Sequence, residues 1–418
     1  MAIFPSSPAK PGLRFIAALI AIVALCPEAR SENWPGWRGP RGDGTSLAEK
    51  APVHWTATSN IAWRTEIPGS GHASPIVWED KLFTVTCLSE SEQRMLLCLD
   101  RDTGRILWQK IVLQSPLEKK HQLNSQASST PATDGALVYV TFLDQQEMAV
   151  AAYDFKGAQK WIVHPGPFHS QHGFCSSPVV FRDKLIVNGD HDGDSYIVAL
   201  DRQTGRTLWK IPRENHTRSY GVPFIRDLDG RTQMVLSGDK CVASYDPDNG
   251  RRHWIIDGPT EQFVASLVYS DQTSLLYMTG GFPDHHLLAI KPDGAGNVTK
   301  TKIVWRTNRG VAYVPSPIIA GDYLLIVSDS GVAHCFDAAT GKLFWQERMG
   351  EHHASLVSAR GLVYFLNDVG VMNVVQPGTG FERVAQNQLG EKCFASPAIS
   401  NGRLFLRGEK HLFCVQEK

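Results

Sequence analysis

Positive charge is nowhere concentrated in this chain. Its 42 lysines and arginines are matched by 42 aspartates and glutamates, the formal net charge is zero, and no basic run stands out. A groove that reads phosphates needs clustered cations, so nucleic acid is not an expected partner. Long apolar stretches are missing as well. The single hydrophobic run, Phe15–Cys26, has twelve residues, too few for a comfortable membrane span. Lys10 and Arg14 precede it, and Ala29 and Ser31 supply small residues at −3 and −1 of a cut before Glu32. That is the form of an export signal, with a retained N-terminal anchor as the other reading. The mature chain is then expected in the periplasm or cell envelope, monomeric and without a transmembrane span. No two of the eight cysteines are adjacent, which excludes a vicinal disulfide.

What is abundant is a repeated phrase. Seven of the eleven tryptophans close it: a strand, an aspartate or its substitute, a glycine turn, a short second strand, then Trp. Asp100-Arg-Asp-Thr-Gly104 leads to Trp108, Asp201-Arg-Gln-Thr-Gly205 to Trp209, and Asp337-Ala-Ala-Thr-Gly341 to Trp345. Weaker copies run from Asp154 to Trp161 and from Asp246 to Trp254, another ends at Trp305, and Trp63 stands alone near the start. A second landmark, small residue-Ser-Pro, opens each repeat, as at Ala73-Ser74-Pro75, Ser176-Ser177-Pro178 and Ala395-Ser396-Pro397. Leucine replaces the proline at Leu267 and Leu356, and eight such starts are present. A strand-built repeat of roughly 40–50 residues signals an all-β propeller. Glycine shortly after the aspartate suits a tight hairpin, and proline at a strand head disturbs no ladder.

Eight four-stranded antiparallel blades are therefore expected, or seven if the weak seventh repeat is misread. That repeat lacks the Trp, and its last strand is expected at Phe381–Val384. The eighth starts at Ala395 and reaches Lys418 after three strands. Asn60–Glu66, around Trp63, fits the vacancy as an N-terminal clasp that leaves no open sheet edge. The domain reading is a signal peptide over 1–31, a strap over 32–54 and the propeller over 55–418. Export would invite disulfides. However, Cys98, Cys335 and Cys414 share the register of Ala152, Ala199, Ser244 and Ala289. A slot that accepts Ala, Ser or Cys is a small core position, so few or no disulfides are expected.

The alternation of Ser-Pro strand starts with Asp-Xaa-Xaa-Thr-Gly-Xaa-Xaa-Xaa-Trp strand ends resembles the pyrroloquinoline-quinone (PQQ) repeat of quinoprotein propellers. The same repeat builds the outer-membrane assembly lipoprotein of the bacterial BAM complex. The resemblance covers nearly everything from Trp55 to Lys418. Trp34-Pro-Gly-Trp37-Arg-Gly-Pro40-Arg-Gly-Asp-Gly44 is also similar to an N-terminal signature of exported planctomycete-type members. The resemblance implies that Trp63, Trp108, Trp161, Trp209, Trp254, Trp305 and Trp345 dock blade against blade, a structural role. It does not by itself imply the quinone. The dehydrogenases of this group hold PQQ with calcium, an arginine, an aspartate and a Cys-Cys pair, and no such set can be assigned here.

In a propeller the innermost strand starts at the mouth of the central channel. Three residues before each Pro/Leu landmark stand His72, Ser128, Cys175, Tyr220, Val264, Val314, His353 and Phe394. His353, Phe394 and His72 come from consecutive blades, so they are expected to fill the channel, with a small-molecule or metal-binding patch as the alternative; any ligand is expected on this face. Long loops rise on the same face. Residues 109–127 carry Lys120, His121 and Asn124, residues 162–173 carry His169 and His172, and residues 210–220 carry Arg213, His216, Arg218 and Tyr220. Imidazole, guanidinium and aromatic groups together suit an anionic or sugar-like ligand. Asp190, Asp192 and Asp194 flank Gly193 and resemble part of a calcium loop, but the terminal bidentate acid is missing and a plain Asp/Gly turn is the expected reading. Neither a Ser-His-Asp set nor a paired acid can be read from spacing. The expected function is a non-catalytic, exported propeller that binds a protein or glycan of the cell envelope. The alternative is an enzyme with its site at the top of the channel, a quinone-dependent oxidoreductase or a hydrolase.

Overall fold

The computed structural model describes residues 1–4 and 32–417. The apolar run Phe15–Cys26 and the cleavage motif ending at Ser31 lie outside the described residues. From Ile61 onward the chain forms eight antiparallel sheets of four strands, one of them with a short fifth strand. The only helical element described is a single 3₁₀ turn at Ser89–Ser91. Blade six shows the plan: Ile318–Ala320, Tyr323–Val327, Val332–Asp337 and Leu343–Arg348 follow one another from the channel outward. The first strands of neighbouring blades touch, including Ala398–Ser400 of blade eight and Ile76–Trp78 of blade one. That contact closes the ring.

The closure is the clasp expected from sequence. Ile61–Glu66 pairs antiparallel with His411–Val415, and Trp63 lies opposite Cys414. Each small slot residue faces an indole in this way: Cys98 opposite Trp108, Ala152 opposite Trp161, Ala199 opposite Trp209, and Cys335 opposite Trp345. A bulky residue there would occupy the ring's space. The seven described cysteines are free thiols.

The indoles reach across the blade seams. The Trp63 N–H donates to Arg101 O at 2.9 Å, Trp108 to Phe155 O at 3.0 Å, and Trp161 to Arg202 O at 3.1 Å. Trp209, Trp305 and Trp345 reach Pro247 O, Ala338 O and Gly378 O at 3.2, 3.1 and 3.0 Å. Each acceptor belongs to the turn of the next blade, where Asp100 takes both the Thr103 N–H and hydroxyl at 2.8 Å. The turn glycine at position 104 (φ +72°) lies under the Trp63 ring, and a Cβ there would come within 2.5 Å of it. Trp345 is buried, whereas Trp108 and Trp209 are half-buried at the equivalent seam positions.

Two repeats depart from the plan for physical reasons. Trp254 bonds Gln233 Oε1 of its own blade at 2.9 Å. The next blade has a long turn instead of Asp-Xaa-Xaa-Thr-Gly, and its segment Gly296–Asn297 pairs in parallel over the Trp254 strand. In blade seven Val374 takes the small slot and Ala385 the Trp position. The last strand is Glu382–Gln388, four residues longer at its end than expected. Trp55, immediately after the strap, shares a buried cluster with Ala385 and Phe405, and its backbone N–H donates to Asn387 Oδ1 at 2.8 Å. An indole thus still fills the seam between blades seven and eight.

Candidate functional site

The Trp34–Gly44 segment spans the far end of the channel. Trp34 is buried and bridges to Val77 of blade one, and Pro35 O accepts from Thr133 of blade two. Arg38 Nη2 donates to Pro317 O of blade six at 2.6 Å, and Thr45 bridges to Ser358 of blade seven. Between these anchors the Trp37 indole donates to the Ser266 hydroxyl at 2.9 Å. Burial pulls the Arg38 guanidinium down to about 10, offset in part by Asp43.

Above Trp37 lies a cavity of about 640 Å³. All eight residues three before the landmarks line it: His72, Ser128, Cys175, Tyr220, Val264, Val314, His353 and Phe394. Ser177, Ser266, Ser355 and Ser396, two residues further along the chain, form the next layer down. These landmark serines have a job of their own. The Ser177, Ser316, Ser355 and Ser396 hydroxyls accept the backbone N–H groups of Thr130, Ser266, Ser316 and Ser355, their counterparts in the preceding blades, at 2.8–2.9 Å.

His72 and Phe394 stack with ring centres 4.8 Å apart, and His353 meets the same phenyl ring at 5.9 Å. His353 Nδ1 lies 2.6 Å from Asp368, whose other oxygen accepts the His353 N–H. Burial would lower the imidazole, but Asp368 outweighs it and the pKa is raised. His72 is driven down to about 4 by burial first, then by the charges of Lys120, Arg407 and His353. His172 Nδ1 lies 3.2 Å from the Tyr220 hydroxyl, which also meets Ser170 at 2.5 Å. Burial, then Arg218 and His121, lower the His172 pKa.

Two expected residues are elsewhere. His216 is exposed, with Nδ1 2.6 Å from Gly193 O, and Arg218 is held by Asp192 at 2.7 and 2.8 Å. Neither lines the cavity. The Asp190, Asp192 and Asp194 set does not converge on a metal position either. Asp190 is fully buried against Arg213 at 2.8 Å, Asp192 is taken by Arg218, and Asp194 is solvent-facing. The loop is a turn anchored by arginines, because guanidinium groups claim two of its three carboxylates.

Sequence reasoning missed Trp37, Phe282, His285, Tyr313 and Asp329, which also line the cavity. One signal was available. Asp329-Ser-Gly331 and Asp368-Val-Gly370 repeat after the second strand of blades six and seven. In both the aspartate secures the loop that leads into its own blade: Asp329 accepts the N–H groups of Tyr313 and Val314 at 2.8 and 3.0 Å.

A tricarboxylate quinone with calcium does not fit these residues. No lysine or arginine lines the cavity. Asp329 and Asp368 are already engaged, and among the described residues no three His, Cys, Asp or Glu side chains converge.

These features define a tryptophan-docked, eight-bladed propeller with one plugged and one open channel end. A family model described as "Outer membrane protein assembly factor BamB" matches residues 49–142, 92–347, 294–383 and 329–417, so the chain belongs to this propeller family. BamB of Shewanella oneidensis is 21% identical over 227 residues, covering 52% of this chain and 54% of the relative. Subunit 1 of the Methylobacterium organophilum methanol dehydrogenase is 26% identical over 65% of this chain and 46% of its own length. The chain spans about half the length of such curated relatives. The crystal structure of Moraxella catarrhalis BamB superposes with a TM-score of 0.59 at 15% identity, covering 86% of this chain and 97% of that one. A europium-containing methanol dehydrogenase gives 0.55 at 14%, covering 91% and 90%. At such identities the structural likeness establishes the fold.

Proposed function

We propose that this is an exported envelope propeller that works by binding a protein or glycan rather than by catalysis, with the channel mouth as its recognition surface. The observation that carries this reading is the one-ended channel. Trp37 closes the far side, while Leu123 and Phe282, 43% and 51% exposed, stand at the open rim. Apolar side chains left in water around a concave site favour association. The two carboxylates at the mouth are already committed, Asp368 to His353 and Asp329 to backbone N–H groups. The relatives described as outer-membrane assembly factors support an envelope protein as the partner. Residues 1–31 act as the signal, 32–54 as the strap and 55–418 as the monomeric ring.

Photo-crosslinkers placed at Phe282 and, separately, at Leu343 on an outer strand test this in envelope extract. A defined adduct at Phe282 alone is expected, and its loss in a His72→Ala/His353→Ala double variant. Equal labelling at both positions, or a variant that captures the adduct as well as the parent at pH 6 and pH 8, would remove the mouth from the mechanism. Adding PQQ and calcium is expected to leave the absorbance spectrum unchanged.

A further inference from the structure

The repeat symmetry isolates one side chain that no other blade has. Near the end of each second strand, two residues beyond the position paired with the small slot, stand Val85, Thr141, Asn188, Ser237, Thr279, Val327, Leu366 and Arg407. In three blades this residue hydrogen-bonds the next blade just inside its mouth-ring residue. Thr141 reaches Ser176 O beside Cys175, Asn188 reaches Gly221 O beside Tyr220, and Ser237 reaches Ala265 O beside Val264. Blade eight carries Arg407 there, and the ring residue of the next blade is His72.

Arginine is several bonds longer than Thr, Ser or Asn, so its head passes the backbone acceptor that the short side chains use. The residue is 1% exposed, and none of its three guanidinium nitrogens has a hydrogen-bond partner among the described residues. Its charge acts on His72. Glu391 bears on it electrostatically, but its oxygens accept from Lys410 N, His411 N and His411 Nδ1 at 2.5–2.8 Å. A buried cation without partners is among the most costly features a fold can carry, and it persists where something neutralises it.

Resting on the binding role argued above, we propose that the wall formed by His72 and Phe394 is an anion subsite for a monocarboxylate with an apolar body, with Arg407 as its counter-charge. Lys120 and His353 add positive charge around His72. One cation buried behind a wall of rings suits one carboxylate, whereas Asp329, which lines the cavity itself, and Asp368, bonded to His353, disfavour a multiply charged ligand. The rings of Phe394, Tyr313 and Phe282 receive the apolar body.

The test is calorimetric titration of the purified protein with 3-phenylpropionate and with its uncharged counterpart, 3-phenylpropanol. The carboxylate is expected to bind at least about tenfold more tightly than the alcohol, as a charge-assisted contact implies. Arg407→Thr restores the residue of blades two and five. It should abolish that preference and melt above the parent, while Arg407→Lys should keep the preference. Equal affinity for both probes, or binding of neither, overturns the subsite and leaves the crosslinking result at Phe282 untouched. An Arg407→Thr variant that melts below the parent also overturns it, since Arg407 would then be a structural group satisfied by water.

Discussion

At the scale of single residues, the buried histidines at and beside the mouth do not behave alike. His72 and His352 are both held down to about 4 by burial. Between about pH 4 and 6.5 their unfolded forms take up protons that the folded forms refuse, so stability falls as pH drops through this window. His353 has the opposite sign. Its raised pKa stabilises the fold below the unfolded value, and this contribution is lost as pH rises through the folded one. Thermal melts from pH 8 to pH 4 should therefore show a decline on the acid side that His352→Asn makes shallower. An unchanged slope in that variant would mean that His352 is solvated. Over pH 6–8 the pH response of partner binding should reside in His353, because His72 and His172 are pushed toward the neutral form.

At the scale of elements, six of the blade seams are held by one indole and one turn carbonyl. Trp345→Ala should cost about 3–5 kcal/mol, as for other large core truncations, and half-buried Trp108→Ala less. Denaturant melts give both values, and equal, negligible shifts would refute the docking role. Gly104→Ala combines a left-handed backbone with a collision against Trp63, so a loss of about 1–3 kcal/mol is expected from the same measurement. The strap is a different kind of element. Its Trp37 contact joins residues 229 positions apart. Trp37→Ala should open the floor of the cavity and weaken crosslinking at Phe282 more than it lowers the melting temperature.

At the scale of the whole molecule, closure decides solubility. Removing everything before Thr65 strips most of the Ile61–Glu66 strand from blade eight and exposes the His411–Val415 edge. Such an edge templates pairing between copies, so light scattering should show aggregation of the truncated protein at temperatures where the parent stays monomeric. A truncated chain that remains monomeric would show that the innermost contacts of blades eight and one close the ring unaided.

The blade number, the clasp, the small slot opposite each indole and the eight residues around the mouth were all legible in the sequence. Each is a consequence of a repeat: once strands recur at a fixed spacing, register assigns every residue a height and a face. The loops were not legible in the same way. His172 and Tyr220 turn inward while His216 and Arg218 turn out, because Asp192 captures the arginine and Gly193 O the imidazole. The route of Trp34–Gly44 across the channel floor, and the use of Trp55 where blade seven lacks its own tryptophan, depend on partners hundreds of residues away. Periodicity is local and additive, so it is written along the chain. The plug, the loop orientations and the solitary buried Arg407 are settled by packing and charge pairing between distant segments, which only the closed ring brings together.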